Sequence, residues 1–158
     1  HQTIVWTSSS TSNGVEQANE TTTLSATDIP EHDKFITSSS DLYDWRSPQN
    51  DNLWQAVGDI NNPCPSGYRL PTESEWNAER TTWSSNNSAG AFASPLKLPQ
   101  AGNRDGSSGS LDGGGSSGRY WSSSVDGTNS LGMGFGSRGA GMGSYERTHG
   151  YSVRCIKD

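Results

Sequence analysis

The residues that could do chemistry in this chain are three histidines, two cysteines and a scatter of carboxylates. Their spacing limits what that chemistry could be. His1, His32 and His149 show no HExxH spacing, so no helical zinc site is read. Glu31-His32-Asp33 has the composition of a proton relay. Adjacent residues do not face one another, so a solvated turn is the better reading. Glu73, Glu75 and Glu79 cluster where a helix should begin, and complementing the helix dipole accounts for them. Asp105-Gly-Ser107-Ser-Gly109 has part of a calcium loop. The EF-hand pattern requires further acids and a glutamate at its twelfth position, where this chain has Ser116, so calcium finds no motif support. Cys64 and Cys155 are too few for a structural zinc site. Either they pair, which implies an oxidising compartment, or they are buried free thiols. Pairing is favoured, because Cys64 follows a loop motif and a bridge from Cys155 would tie down the last residues. No cofactor is expected, and no catalytic constellation emerges.

The composition says what must position these residues. The 158 residues suit one domain, but only 28% are hydrophobic, and six tryptophans must supply much of the core. Trp45, Trp54, Trp76, Trp83 and Trp121 read as core. A net charge of -6 without a Lys/Arg cluster argues against nucleic acid and anionic membrane surfaces. No apolar run approaches the roughly 20 residues of a membrane span, so no membrane insertion is expected.

Residues 1–34 read as a polar arm or linker, with one short strand at Ile4, Val5 and Trp6. Ser47-Pro48 is a helix-start signal, predicting a short helix through Leu53, Trp54 and Val57 that ends at Gly58. Thr72-x-x-Glu75 is a capping box and predicts a second helix from Glu73 to Trp83. After Leu98 glycine dominates: of 19 glycines, all but Gly14, Gly58, Gly67 and Gly90 lie at or beyond Gly102. Short strands are predicted at 119–123, 131–137 and 151–156. Helices followed by short strands give an α+β fold with a small antiparallel sheet.

One strand is unusual. In LGMGFGSRGAGMG (131–143), Met133 and Phe135 alternate with Gly132, Gly134 and Gly136. The period is that of a half-buried strand, yet one face has no side chains, which weakens a strand. A Gly/Ser linker explains DGSSGSLDGGGSSG, but gives no reason to keep Met and Phe at period two.

WRSPQNDNLW, NPCPSGYRLPTESEW, SPLKLPQAGNRDGSSGSL, YWSSS and GYSVRCIKD resemble, in that order, the Fibrobacter succinogenes major paralogous domain family, over about Phe35 to Asp158. The resemblance implies a C-type lectin-like fold over residues 35–158, with two helices, a small twisted antiparallel sheet and long irregular loops. Members of that family are often variable proteins of diversity-generating retroelements, in which template adenines are miscopied. AAC or AAT codons then become NNC or NNT, which encode Gly, Ser, Arg, Asp, His, Tyr and Asn, but not Met, Trp, Lys, Gln or Glu. The resemblance thus makes the glycine face one draw from a mutated codon set. Met133, Met142 and Trp121 lie outside that set.

By position against the relatives, the variable region is about 102–151. Its ligand-binding residues would be Gly132, Gly134, Gly136, Arg138, Gly139, Gly141, Gly143, Ser144, Tyr145, His149 and Tyr151. An earlier group would be Asn103, Asp105, Gly106, Ser108, Asp112, Gly113 and Arg119. Glu146 stands where relatives often carry Asn. Either that position is fixed or the codon assumption fails there. The implied function is recognition of a variable protein or glycan ligand on a host or neighbouring cell, from a virion or a prokaryotic cell surface. One rival is a surface lectin-like adhesin without diversification. Another is an enzyme like the formylglycine-generating relatives, which use two late cysteines where this chain has Cys155 alone. A third, a calcium-dependent lectin, lacks its Glu-Pro-Asn or Gln-Pro-Asp and Trp-Asn-Asp triplets.

Overall fold

The structure is a computed structural model and describes residues 19–38 and 44–158. The strand expected at Ile4–Trp6 lies outside the described residues. The described chain runs β1 (Glu20–Thr21), β2 (Phe35–Ile36), β3 (Tyr68–Arg69), α1 (Glu73–Thr81), α2 (Ser88–Ala93), β4 (Asn103–Arg104), β5 (Leu111–Asp112), β6 (Ser117–Asp126), β7 (Asn129–Gly136), β8 (Ala140–Tyr145) and β9 (Ile156–Lys157). The fold is α+β. A three-stranded antiparallel sheet in the order β6-β7-β8 carries the long strands, and three two-stranded ribbons surround it.

The capping box forms as predicted. The Thr72 side chain accepts from the Glu75 N–H at 3.2 Å, and Glu75 Oε2 accepts from the Thr72 N–H at 2.8 Å. Glu75 also takes a two-pronged ion pair from Arg69, with both N···O distances 2.8 Å. That pair, more than the capping bonds, holds the Glu75 carboxyl down at about 2.

The helix expected after Ser47-Pro48 does not form. Residues 51–58 form successive turns, the Ser47–Pro48 bond is cis, and Trp54 has a φ of 65°, outside the right-handed helical region. Trp54 is 1% exposed, and burying its ring outweighs a weak local start signal. The second helix is α2, capped by Asn87, whose side chain accepts from the N–H groups of Ala89 and Gly90.

Residues 19–34, expected within a polar arm, are tied to the domain. Glu20–Thr21 pairs in parallel with Phe35–Ile36, Ser25 bridges Arg46, and Leu24 packs on a core cluster. Of the strand expected over 151–156, only Ile156 lies in β9, which pairs with β3, while Ser152 bridges Tyr120.

Two apolar clusters sandwich part of the sheet. Tyr120, Met133 and Phe135 meet Trp76, Trp83, Ala91 and Leu98 on the helix side. Trp121 meets Trp45, Trp54, Leu53, Leu70 and Ile36 on the other. The five tryptophans read as core are all at most 8% exposed. Cys64 and Cys155 form a disulfide across 91 residues of sequence, joining the loop before β3 to the segment before β9.

Candidate functional site

The glycine alternation builds a trough. Register places Ser117, Gly136 and Gly139 at one end of the sheet, then Arg119 opposite Gly134 opposite Gly141, then Trp121 opposite Gly132 opposite Gly143. In each cross-strand row β6 supplies a side chain while β7 and β8 supply none. The floor is bare backbone, Ser117 and Arg119 form one wall, and Tyr145 closes an end. The result is a shallow, open concavity of about 380 Å³. Met133, Phe135, Ala140 and Met142 point the other way, into the helix-side core, as their alternation predicted.

The face is less bare than the sequence implies. Gly132 and Gly134 are buried, because two neighbouring side chains lie across them. The Arg119 guanidinium sits 5.0 Å from the centre of the Tyr145 ring and donates to its hydroxyl. A Cβ on Gly134 would stand 2.6 Å from Arg119 Nη1 and 2.9 Å from the Tyr145 hydroxyl. On Gly143 it would stand 2.7 Å from that hydroxyl. At Gly136 and Gly139 the nearest atoms are 3.4 and 3.9 Å away, and at Gly141 space is open. Gly132 has little room, 3.0 Å from the Tyr120 carbonyl oxygen. None of these six glycines has a positive φ.

Aromatic rings continue the face beyond Tyr145. Tyr151 stacks on Trp121 at 4.3 Å, meets Tyr145 edge-on at 5.1 Å and stacks with His149 at 5.5 Å. Burial pushes the Tyr151 phenol well above its ordinary range, with the charge of Arg119 opposing. His149 Nδ1 accepts from the Gly106 N–H at 3.0 Å, while Nε2 faces Glu146 at 3.5 Å. The neutral ring therefore carries its proton on Nε2. Arg138 and Ser144 are exposed, Arg138 in the β7–β8 turn and Ser144 on β8.

Of the earlier group, Arg119 lies in the trough itself, and the rest sits on the β4–β5 ribbon and its loops. Asn103 pairs with Asp112, and the ribbon reaches the main face through the Gly106–His149 bond. Asp105 is committed to its own turn: Oδ1 accepts from the N–H and hydroxyl of both Ser107 and Ser108, which drives its pKa down. That turn accounts for the string that had part of a calcium loop. Among the described residues no group of three or more His, Cys, Asp or Glu could hold a metal. Two members of this group tolerate side chains poorly. A Cβ on Gly106 would stand 2.3 Å from the Thr148 hydroxyl and 2.9 Å from the His149 nitrogen, and Gly113 has a φ of +69°.

Sequence reasoning missed three features. Ser117 lines the trough beside the bulkier Arg119, and its place follows only from register. Arg147 is 3% exposed, pairs with Asp51 at 2.8 Å, approaches the buried Asp44 at 3.8 Å and donates to the carbonyls of Gly127 and Asn129. Gly114 to Gly118 spells a G-x-S-x-G string. Its central Ser116 lies in a loop entering a strand and donates to the Gly113 carbonyl, so the strand-to-helix elbow of a nucleophilic serine is not formed.

Residues 79–156 match a family model described as Domain of unknown function (DUF8237). No curated protein and no solved structure matches the chain. The matched span opens inside α1 and closes at the start of β9. It contains both wings of the site, the whole of β6-β7-β8 and Cys155, and leaves Cys64 and the ribbon β1–β2 outside.

Proposed function

We propose that this chain is a ligand-binding display module with a C-type lectin-like fold, akin to the Fibrobacter succinogenes major paralogous domain family, whose trough face is diversified by a retroelement. The observation that carries the reading is steric. Most positions expected to vary are positions where side chains can be changed without touching the core. Gly136, Gly139 and Gly141 have room, and Gly134 and Gly143 are obstructed only by the tips of Arg119 and Tyr145, themselves expected to vary. Two glycines outside the set behave differently, although Gly58 and Gly114 also have room. A Cβ on Gly118 would enter the Phe135 ring at 2.2 Å, and one on Gly90 would stand 1.9 Å from the Ser85 carbonyl oxygen. A fold that must survive random side chains on one face needs this separation of face from core. Gly106, Gly113 and Gly132 depart from it and are the weakest members of the set.

The ligand would be a protein or glycan on a host or neighbouring cell, met from a virion or a prokaryotic surface. The disulfide is compatible with an extracellular setting, and among the described residues no helix is long and apolar enough to cross a membrane. A formylglycine-generating chemistry finds no support, since both cysteine sulfurs are committed to one bridge.

Sequencing the DNA around the 3′ end of the gene tests the reading. The expected result is a near-copy of the segment encoding about 102–151, differing at adenines only, beside a reverse transcriptase gene. If no such repeat exists, diversification is lost and the face becomes an inherited lectin-like or adhesin surface.

A further inference from the structure

We infer that Arg119 anchors a carboxylate of the ligand in the glycine trough. The inference rests on the reading of this face as the binding surface and names the chemistry it takes. Arg119 is the charged residue of the concavity, whose lining includes Ser117, Tyr145 and the chain at Gly134, Gly136 and Gly141. Among the described residues no carboxylate pairs with its guanidinium, whose one hydrogen bond goes from Nη1 to the Tyr145 hydroxyl. A guanidinium carries five donors in a planar fork. The remaining donors stand beside two glycine rows, where no protein side chain competes for them. The Tyr145 ring, 5.0 Å away, holds the fork in place and leaves it less of its rotamer freedom to lose on binding.

A planar monoanion suits this arrangement. Two parallel N–H···O bonds match a carboxylate, while a phosphate dianion would require a second cation that the trough does not line up. A concavity of about 380 Å³ is at the lower end of small-ligand sites, so it takes one acidic sugar ring or one acidic residue of a peptide. The net charge of -6 works against anions at long range, but screening over about 8 Å at physiological salt leaves the local guanidinium in control.

The test is an amide and Arg-Nε NMR titration of the whole chain with sodium glucuronate and with N-acetyl-aspartate N-methylamide. Glucose and N-acetyl-asparagine N-methylamide serve as the neutral counterparts. The expected result is that at least one carboxylate shifts Arg119 Nε and the amides of Gly134, Gly136 and Gly141, and that its neutral counterpart does not. Which acid does so tells an acidic sugar from an acidic peptide. Arg119→Gln should weaken the binding about tenfold or more, with Arg119→Lys recovering part of the loss. Should Arg119→Gln fail to fold, the wild-type titration repeated at pH 3 replaces it, and the shifts must fade as the ligand carboxyl protonates. The inference is overturned if neither acid at about 50 mM moves these resonances, if the neutral compounds move them equally, or if Arg119→Gln binds as the wild type does. Failure here with neutral ligands still bound in the trough would leave the binding reading standing. A missing template repeat would remove diversification without touching the carboxylate result.

Discussion

The Tyr145 hydroxyl lies 2.9 Å from where a Cβ on Gly134 would stand, so a ring on β8 occupies space that glycines on β7 and β8 vacate. The side-chain-free face and the folded-back tyrosine are two halves of one packing arrangement. The obstruction is the far end of a side chain and not a backbone atom, although the Tyr145 ring packs against the Trp121 cluster.

Gly134→Asn and Gly143→Asn should therefore fold and change stability by no more than about 1 kcal/mol in urea denaturation, since a β-compatible residue replaces glycine as Tyr145 turns out. Gly118→Ala should cost about 2–3 kcal/mol, because its Cβ meets the buried Phe135 ring. Equal costs at Gly118 and Gly134 would remove the steric separation of face from core.

Reducing the Cys64–Cys155 bridge, or replacing both cysteines with serine, should lower stability by roughly 2–5 kcal/mol, since the bridge closes a long loop in the unfolded chain. Thermal unfolding with and without reductant reads the effect. An unchanged midpoint would mean that the β3–β9 pairing holds this region without the bridge.

Arg147→Met should cost about 3–5 kcal/mol. It strands Asp44, whose pKa is already raised by burial, and frees the carbonyls of Gly127 and Asn129 at the β6–β7 turn. Adding Asp44→Asn should return part of that loss, and a double-mutant cycle by chemical denaturation measures the coupling.

Glu75 predicts the acid side of the stability profile. Its folded pKa, about 2, lies below the ordinary glutamate value of 4.5. The stabilisation it supplies is complete above the unfolded value and is lost as pH falls from about 4.5 towards 2. Glu75→Gln should destabilise by roughly 1 kcal/mol at neutral pH, a modest figure because the pair is partly open to solvent. The variant and wild type should converge near pH 2. A constant difference across that range would assign the effect to helix capping alone.

Local signals told the truth wherever the deciding contacts were local. The Thr72–Glu75 box, the period-two alternation of Met133 and Phe135, and the tryptophans as core all depend on residues a few positions apart or on side-chain size. The Ser47-Pro48 signal failed because it competed with burial of Trp54, and a nonlocal gain outweighs a start signal for so short a helix. β8 went unread as a strand because AGMGSY has weak strand propensity by itself and is held by its register with β7.

The sequence by itself determined which face of the glycine-rich strand enters the core, where the first helix begins, and that two cysteines were available to pair. Alternation, capping and residue count carry that information without knowledge of the partners. Only the tertiary structure decided what the glycines are for. Antiparallel pairing set Arg119, Gly134 and Gly141 in one row, and Tyr145 was laid across it from 11 positions beyond Gly134. A trough is a relation between strands, and the order of residues along one strand does not contain it.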